Sequence, residues 1–155
     1  IQHARRVYVI GLGEDGIAAR ALSMKLAMIG ILSVHHFDPV LMAASTASAG
    51  AGDVLLVLSE QGKLTSLCHL ARTFGESGGK VVSATRHTPN PLRAHADHAL
   101  LVSAHDERAH MEPLLYHSAL QHLMDLIFVL LCEHGQDRLR QLDNHAERVQ
   151  DMLDI

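Results

Sequence analysis

Three stretches of this chain carry residue types suited to chemistry. Ser59-Glu60-Gln61-Gly62-Lys63-Leu64 sets a hydroxyl, a carboxylate, an amide and an amine around one glycine. It lies between an apolar run and a helical pattern, where backbone N–H groups of a helix start favour an anion or a polar ligand. Gly11-Leu12-Gly13-Glu14-Asp15-Gly16 follows an earlier apolar run, and Asp38 lies 22 residues beyond Gly16. That spacing is a dinucleotide fingerprint, with glycines for close backbone approach and an acid for a ribose hydroxyl. Glu14 and Asp15, however, place two carboxylates where a pyrophosphate would sit. The same glycines also read as a tight strand–helix turn, with Asp15 as a first-turn helix charge. Glu112 and His117 open the last long helical pattern and are of the general-base type. Glu112 reads equally as a first-turn charge, and His117 is one of 13 histidines.

Those histidines do not form a metal-binding pattern. His35 and His36 are adjacent on an expected strand and point to opposite faces. His105, His110, His117 and His122 step by five or seven residues, and no Cys-x-x-Cys occurs. No metal site and no cofactor are expected. Cys68 and Cys132 fall in separate helical patterns, which argues against a disulfide framework and for a reducing cytoplasm.

The elements that must position these groups alternate. Asp53 to Leu58 is a short continuous apolar run, the pattern of a strand buried on both faces of a parallel sheet. Leu64, Leu67, Cys68, Leu70 and Ala71 return at helical spacing, so a helix is expected from Lys63 or Leu64. Arg6 to Ile10 reads as the first strand, followed by a helix from Gly16 or Ile17 to Gly30. Leu32 to Phe37, Lys80 to Thr85 and His98 to Val102 read as further strands. Met42 to Ala51 suggests a loose helix and a turn, and Leu92 to Ala96 a short helical turn. Pro113 opens a helix running to Glu133, which Gly135 stops. Gln136 to Leu153 reads as a charged amphipathic helix with Leu139, Leu142, Val149 and Leu153 on one side. Strand–helix alternation with short turns predicts an α/β class, a three-layer αβα sandwich on a five-stranded parallel sheet.

The 155 residues suffice for one core, and 48% are hydrophobic. The net charge of −4 gives no basic face for nucleic acid. No uninterrupted apolar run reaches the ~20 residues of a membrane span, so no membrane partner is expected. The chain starts at Ile1, not Met, which points to a piece of a longer protein.

Asp53-Val-Leu-Leu-Val-Leu-Ser59-x-x-Gly62, Gly79-Lys80-Val-Val-Ser-Ala-Thr85, Asn90-Pro91-Leu92 and Ala96-Asp97-His98-Ala99-Leu100 together resemble the sugar isomerase (SIS) domain. The ordered set is closest to the effector domain of RpiR-family bacterial transcriptional regulators. Met24-Lys-Leu-Ala-Met-Ile-Gly-Ile31 and Asp125-Leu-Ile-Phe-Val129 are similar to that group's first and last long helices. The resemblance implies a doubly wound sheet, a homodimer or higher homo-oligomer, and binding of a phosphosugar. It also implies a missing N-terminal helix-turn-helix domain through which the full-length protein binds DNA. Residues 1–135 are then the effector-binding domain, and 136–155 a helix packed on it or on a dimer partner.

The departures from that family's pattern concern the ligand. Its phosphate loop reads Ser-x-Ser-Gly-x-Thr, and here only Ser59 and Gly62 match, with Gln61 and Leu64 in the other places. A small hydroxyl residue is usual where Asp15 stands, and an arginine where His117 stands. Hydroxyls and N–H groups hold phosphate by donating, whereas a carboxylate only accepts. Glu14, Asp15 and Glu60 would make the mouth acidic, with Lys63 a partial offset. The effector site is therefore expected to comprise Gly13, Asp15, Ser59, Gln61, Gly62, Lys63, Leu64, Arg86, His87 and His117. The favoured function is a ligand-sensing and dimerisation domain of a regulator of carbohydrate metabolism. It would bind a small carbohydrate-derived effector and carry no catalytic residues. A SIS-type sugar-phosphate isomerase or lyase is the alternative, with Glu112 or His117 as base. A nucleotide-binding module is a third reading.

Overall fold

The computed structural model describes residues 1–135 and 137–153. Its five strands are β1 (Arg6–Ile10), β2 (Ser33–Val34), β3 (Asp53–Leu58), β4 (Lys80–Arg86) and β5 (His98–Val102). All pair in parallel, in the order β2-β1-β3-β4-β5. The helices are α1 (Glu14–Met28), α2 (Pro39–Thr46), α3 (Thr65–Glu76), α4 (Glu112–His134) and α5 (Arg138–Leu153), with a 3-10 turn over Pro91–His95. This is the expected three-layer α/β sandwich.

Side chains alternate across the sheet. Val7, Val9, Leu56 and Leu58 face α1 and α4, joined by Leu22, Leu26, Leu120 and Met124. Tyr8, Ile10, Leu55 and Val57 face α2 and α3, joined by Met42, Leu67, Ala71 and Phe74. Every residue of β3 is buried, as its unbroken apolar run requires. The exception in polarity is Asp53. Its carboxylate accepts from Arg5 at 2.7 and 3.0 Å, from Arg6 at 3.0 and 3.3 Å, and from the Gly50 N–H at 3.0 Å. Those donors hold it ionised and its pKa well below the ordinary carboxylate range. β3 is thereby anchored at its first residue.

Strand order reverses between β1 and β3, so the loops after these strands flank the switch-point crevice. The loop after β1 depends on its glycines. A Cβ on Gly11 would come within 2.5 Å of the Asp15 backbone, and Gly13 holds φ +60°.

Several expected boundaries move. β2 covers only Ser33–Val34, not Leu32 to Phe37. His35 turns its ring back onto the Val9 carbonyl, with Nδ1 at 2.8 Å, and the chain leaves the ladder there. His35 and His36 are therefore not strand residues. α1 begins at Glu14, and α3 at Thr65 with Leu64 as N-cap. α5 begins at Arg138, and Gln136 lies outside the described residues. Leu142 and Val149 are partly buried, whereas Leu139 and Leu153 are exposed. α4 is long and apolar enough to cross a membrane by length and composition, although polar residues interrupt its apolar run. One side of it packs in the core through Tyr116, Leu120, Met124, Leu131 and Cys132.

Candidate functional site

The β1 and β3 loops meet through Asp15. Its carboxylate, in the first turn of α1, accepts from the Glu60 N–H at 2.9 Å. The β3 loop closes as a turn in which Gly62 donates its N–H to the Ser59 carbonyl at 3.1 Å. Gly62 has φ +60°, and a Cβ there would meet Asn90 Oδ1 at 2.2 Å. Glycine thus allows Asn90 to lie against the loop. Asn90 also donates to Thr85 Oγ1 at 3.1 Å and caps the 3-10 turn by accepting from the Arg93 N–H at 3.2 Å. Leu92 donates its N–H to the Gly62 carbonyl at 3.1 Å. Asn90-Pro91-Leu92 therefore braces the loop that begins at Ser59.

A buried charge network sits beside this turn. Arg86, at the end of β4, bridges Glu60 and Glu112 through its two terminal nitrogens. Burial opposes its charge, but the two carboxylates outweigh that and raise its pKa. Arg86 in turn holds the Glu112 carboxyl below its usual range, and His105 Nδ1 lies 3.0 Å from the other Glu112 oxygen.

His117 joins the cluster from α4. Its Nδ1 donates to the Pro113 carbonyl at 2.7 Å and lies 3.1 Å from Glu14 Oε2. Because a carbonyl only accepts, Nδ1 carries a proton. Nε2 faces Asp15 Oδ1 at 3.3 Å, but the angle makes no hydrogen bond, and both atoms are otherwise unpartnered among the described residues. Burial pushes the Asp15 carboxyl up, while the Glu60 N–H and His117 draw it down. Asp15 Oδ1 and His117 Nε2 thus stand side by side at the meeting of α1 and α4. Tyr116 is fully buried next to them, and its hydroxyl has no partner among the described residues. Burial, with Asp15 and Glu60 nearby, raises its phenol well above the ordinary value.

Of the expected site residues, Gly13, Asp15, Ser59, Gly62, Arg86 and His117 fall on these converging loops and helices. Gln61, Lys63 and Leu64 are exposed along the β3–α3 connection. His87 is exposed beyond β4, with its N–H on the Val102 carbonyl at 2.9 Å. Asp38 is the N-cap of α2, accepting from the N–H groups of Val40 and Leu41 at 2.8 and 2.9 Å. It therefore has a structural role at the position where the fingerprint would place a ribose ligand.

Sequence reasoning put Glu60 at the acidic mouth and named Glu112 as a candidate base, but counted neither among the effector-site residues and did not foresee the Arg86 bridge that both carry. It missed Tyr116 altogether, since a tyrosine in an apolar helix reads as core. Asn90 was legible only as part of the family pattern.

The chain matches the SIS domain over residues 1–130. It is 28% identical over 147 residues to the HTH-type transcriptional regulator YfhH of Escherichia coli strain K12, covering 95% of this chain and 52% of that protein. The chain thus spans about half the length of that relative. It is 27% identical over 144 residues to 3-hexulose-6-phosphate isomerase of Mycobacterium gastri, covering 88% of this chain and 70% of the enzyme. Among solved structures, the Vibrio vulnificus NanR protein, complexed with ManNAc-6P, superposes with a TM-score of 0.86 at 23% identity. That superposition covers 98% of this chain and 58% of NanR. The chain belongs to the SIS domain family.

Proposed function

We propose that this chain is the effector-sensing and dimerisation domain of a DNA-binding transcriptional regulator, with residues 1–135 forming the sensing unit and 136–155 a packing helix. The observation that carries this reading is the match to a helix-turn-helix regulator along 95% of the chain, with half of that relative left over. The regulator acts in the cytoplasm and contacts DNA through its other half.

The effector is a small carbohydrate derivative held where the β1 and β3 loops meet, by Gly13, Asp15, Ser59, Gln61, Gly62, Lys63, Leu64, Arg86, His87 and His117. Its charge follows from the groups already in place. Arg86 is committed to Glu60 and Glu112, while Glu14 and Asp15 lie against His117, so four carboxylates gather here. The Glu60 N–H, which would serve an anionic ligand, is taken by Asp15. A neutral or amine-bearing sugar suits this setting better than a phosphosugar, with exposed Lys63 and the α3 start receiving its oxygens.

A second reading is a SIS-type isomerase, favoured by the Asp15–His117 juxtaposition and by the hexulose phosphate isomerase relative. Incubating the chain with hexulose, pentulose and aldose phosphates and following the sugars by NMR separates the two. No interconversion is expected, together with a thermal shift from a neutral or amino sugar. Turnover that His117→Ala abolishes would make it an enzyme.

A further inference from the structure

A hollow of about 440 Å³ opens at the β2 edge of the sheet, lined in part by Arg20, Ser23, Ser33, His35, His36 and Phe37. None of these belongs to the strand-end cluster. Gly16 helps to shape it. A Cβ there would press on the Phe37 ring at 3.3 Å, so glycine lets that ring lie against α1. The Arg20 guanidinium then sits over the ring, 5.6 Å from its centroid, and the His35 ring packs edge-on at 4.8 Å.

The polar groups around the hollow have no acid beside them among the described residues. No carboxylate pairs with Arg20 among the described residues. Asp38, close by in sequence, is committed to the start of α2. His35 donates from Nδ1 to the Val9 carbonyl, which leaves its Nε2 buried and unpartnered among the described residues. The hydroxyls of Ser23 and Ser33 bond to each other, which uses one of their two protons and leaves the other to donate. Burial, and then the nearby His36 and Arg20, push the His35 imidazole down. Three basic side chains thus line one hollow, and none of them pairs with a carboxylate among the described residues. The Arg20 guanidinium has no carboxylate partner among the described residues, and an anion bound in the hollow would pair it.

We infer that this hollow is a second binding site, for a phosphate group. Arg20 is its forked anchor, with a serine hydroxyl as a further donor and the unpartnered Nε2 of His35 and the His36 ring beside it. A phosphate dianion matches an arginine and two histidines better than a singly charged carboxylate does.

The test titrates the 155-residue chain with inorganic phosphate at constant ionic strength near pH ~6.5, following the imidazole signals by NMR. Saturable shifts led by His35 and His36 are expected, weakened ~10-fold by Arg20→Ala and partly restored by Arg20→Lys. Acetate should move them less. Arg20 is an exposed helix residue, so alanine keeps the fold. Should circular dichroism show otherwise, His36→Ala carries the same expectation. Linear drift without saturation, saturation unchanged by the substitution, or equal shifts with acetate would each overturn the site. None of these outcomes bears on the strand-end effector reading.

Discussion

Single residues decide the local geometry, and three substitutions measure how. Gly62→Ala forces an L side chain into φ +60° and drives its Cβ onto Asn90. A loss of ~1–3 kcal/mol in urea unfolding is expected, from backbone strain alone. Asp53→Asn removes a buried carboxylate that receives two arginines and one N–H. Losing charge-assisted hydrogen bonds of this kind costs ~1.5–3 kcal/mol. Because the folded pKa of Asp53 is depressed, its contribution is present above the unfolded carboxyl value of ~4 and lost as pH falls below it. The stability gap between the unmodified chain and Asp53→Asn should therefore close in acid; a gap constant down to low pH would refute the ion-pair role. Tyr116→Phe deletes a buried hydroxyl with no partner among the described residues and should leave stability equal or up to ~1 kcal/mol higher. A clear loss would mean that the hydroxyl has a partner.

At the scale of elements, what the sequence showed depended on the length of the pattern. β3 and α4 were legible because long apolar patterns leave few alternatives, and both fall within a residue or so of expectation. β2 was misread because Leu32 to Phe37 has strand-like residues, while the ladder is cut short by a tertiary contact, the His35 ring on Val9. Within the candidate site, Asp15 stood out as a departure from the family pattern, Gly62 as a loop glycine and Arg86 as a basic residue just past the fourth strand. The site was illegible at Tyr116, whose neighbours come from other elements. α4 leaves Leu114, Leu126, Val129 and Leu130 exposed, more apolar surface than one face of the sheet covers. A two-fold dimer through this helix is expected. Leu126→Glu with Leu130→Glu should shift sedimentation from dimer to monomer at micromolar protein. If the unmodified chain is already a monomer there, α4 is not the interface.

At the scale of the whole molecule, the net charge of −4 predicts that this chain alone gives no salt-sensitive, sequence-specific shift of operator DNA in a gel. Such a shift would place DNA reading in this chain itself. We propose that the strand-end crevice has exchanged phosphate donors for a carboxylate and takes a neutral or amine-bearing sugar derivative. Calorimetry with matched sugars, phosphosugars and amino sugars tests it most directly. It should be run on an Arg20→Ala background, so that the hollow beside β2 does not contribute. Two missing hydrogen bonds to a charged group, at ~1.5–3 kcal/mol each, weaken phosphosugar binding by roughly two to four orders of magnitude. The expected result is negligible heat with phosphosugars, saturable heat with a neutral or amino sugar, and recovered phosphosugar binding in Asp15→Ser with Gln61→Ser and Leu64→Thr. Micromolar phosphosugar binding that the triple change does not improve would contradict the claim.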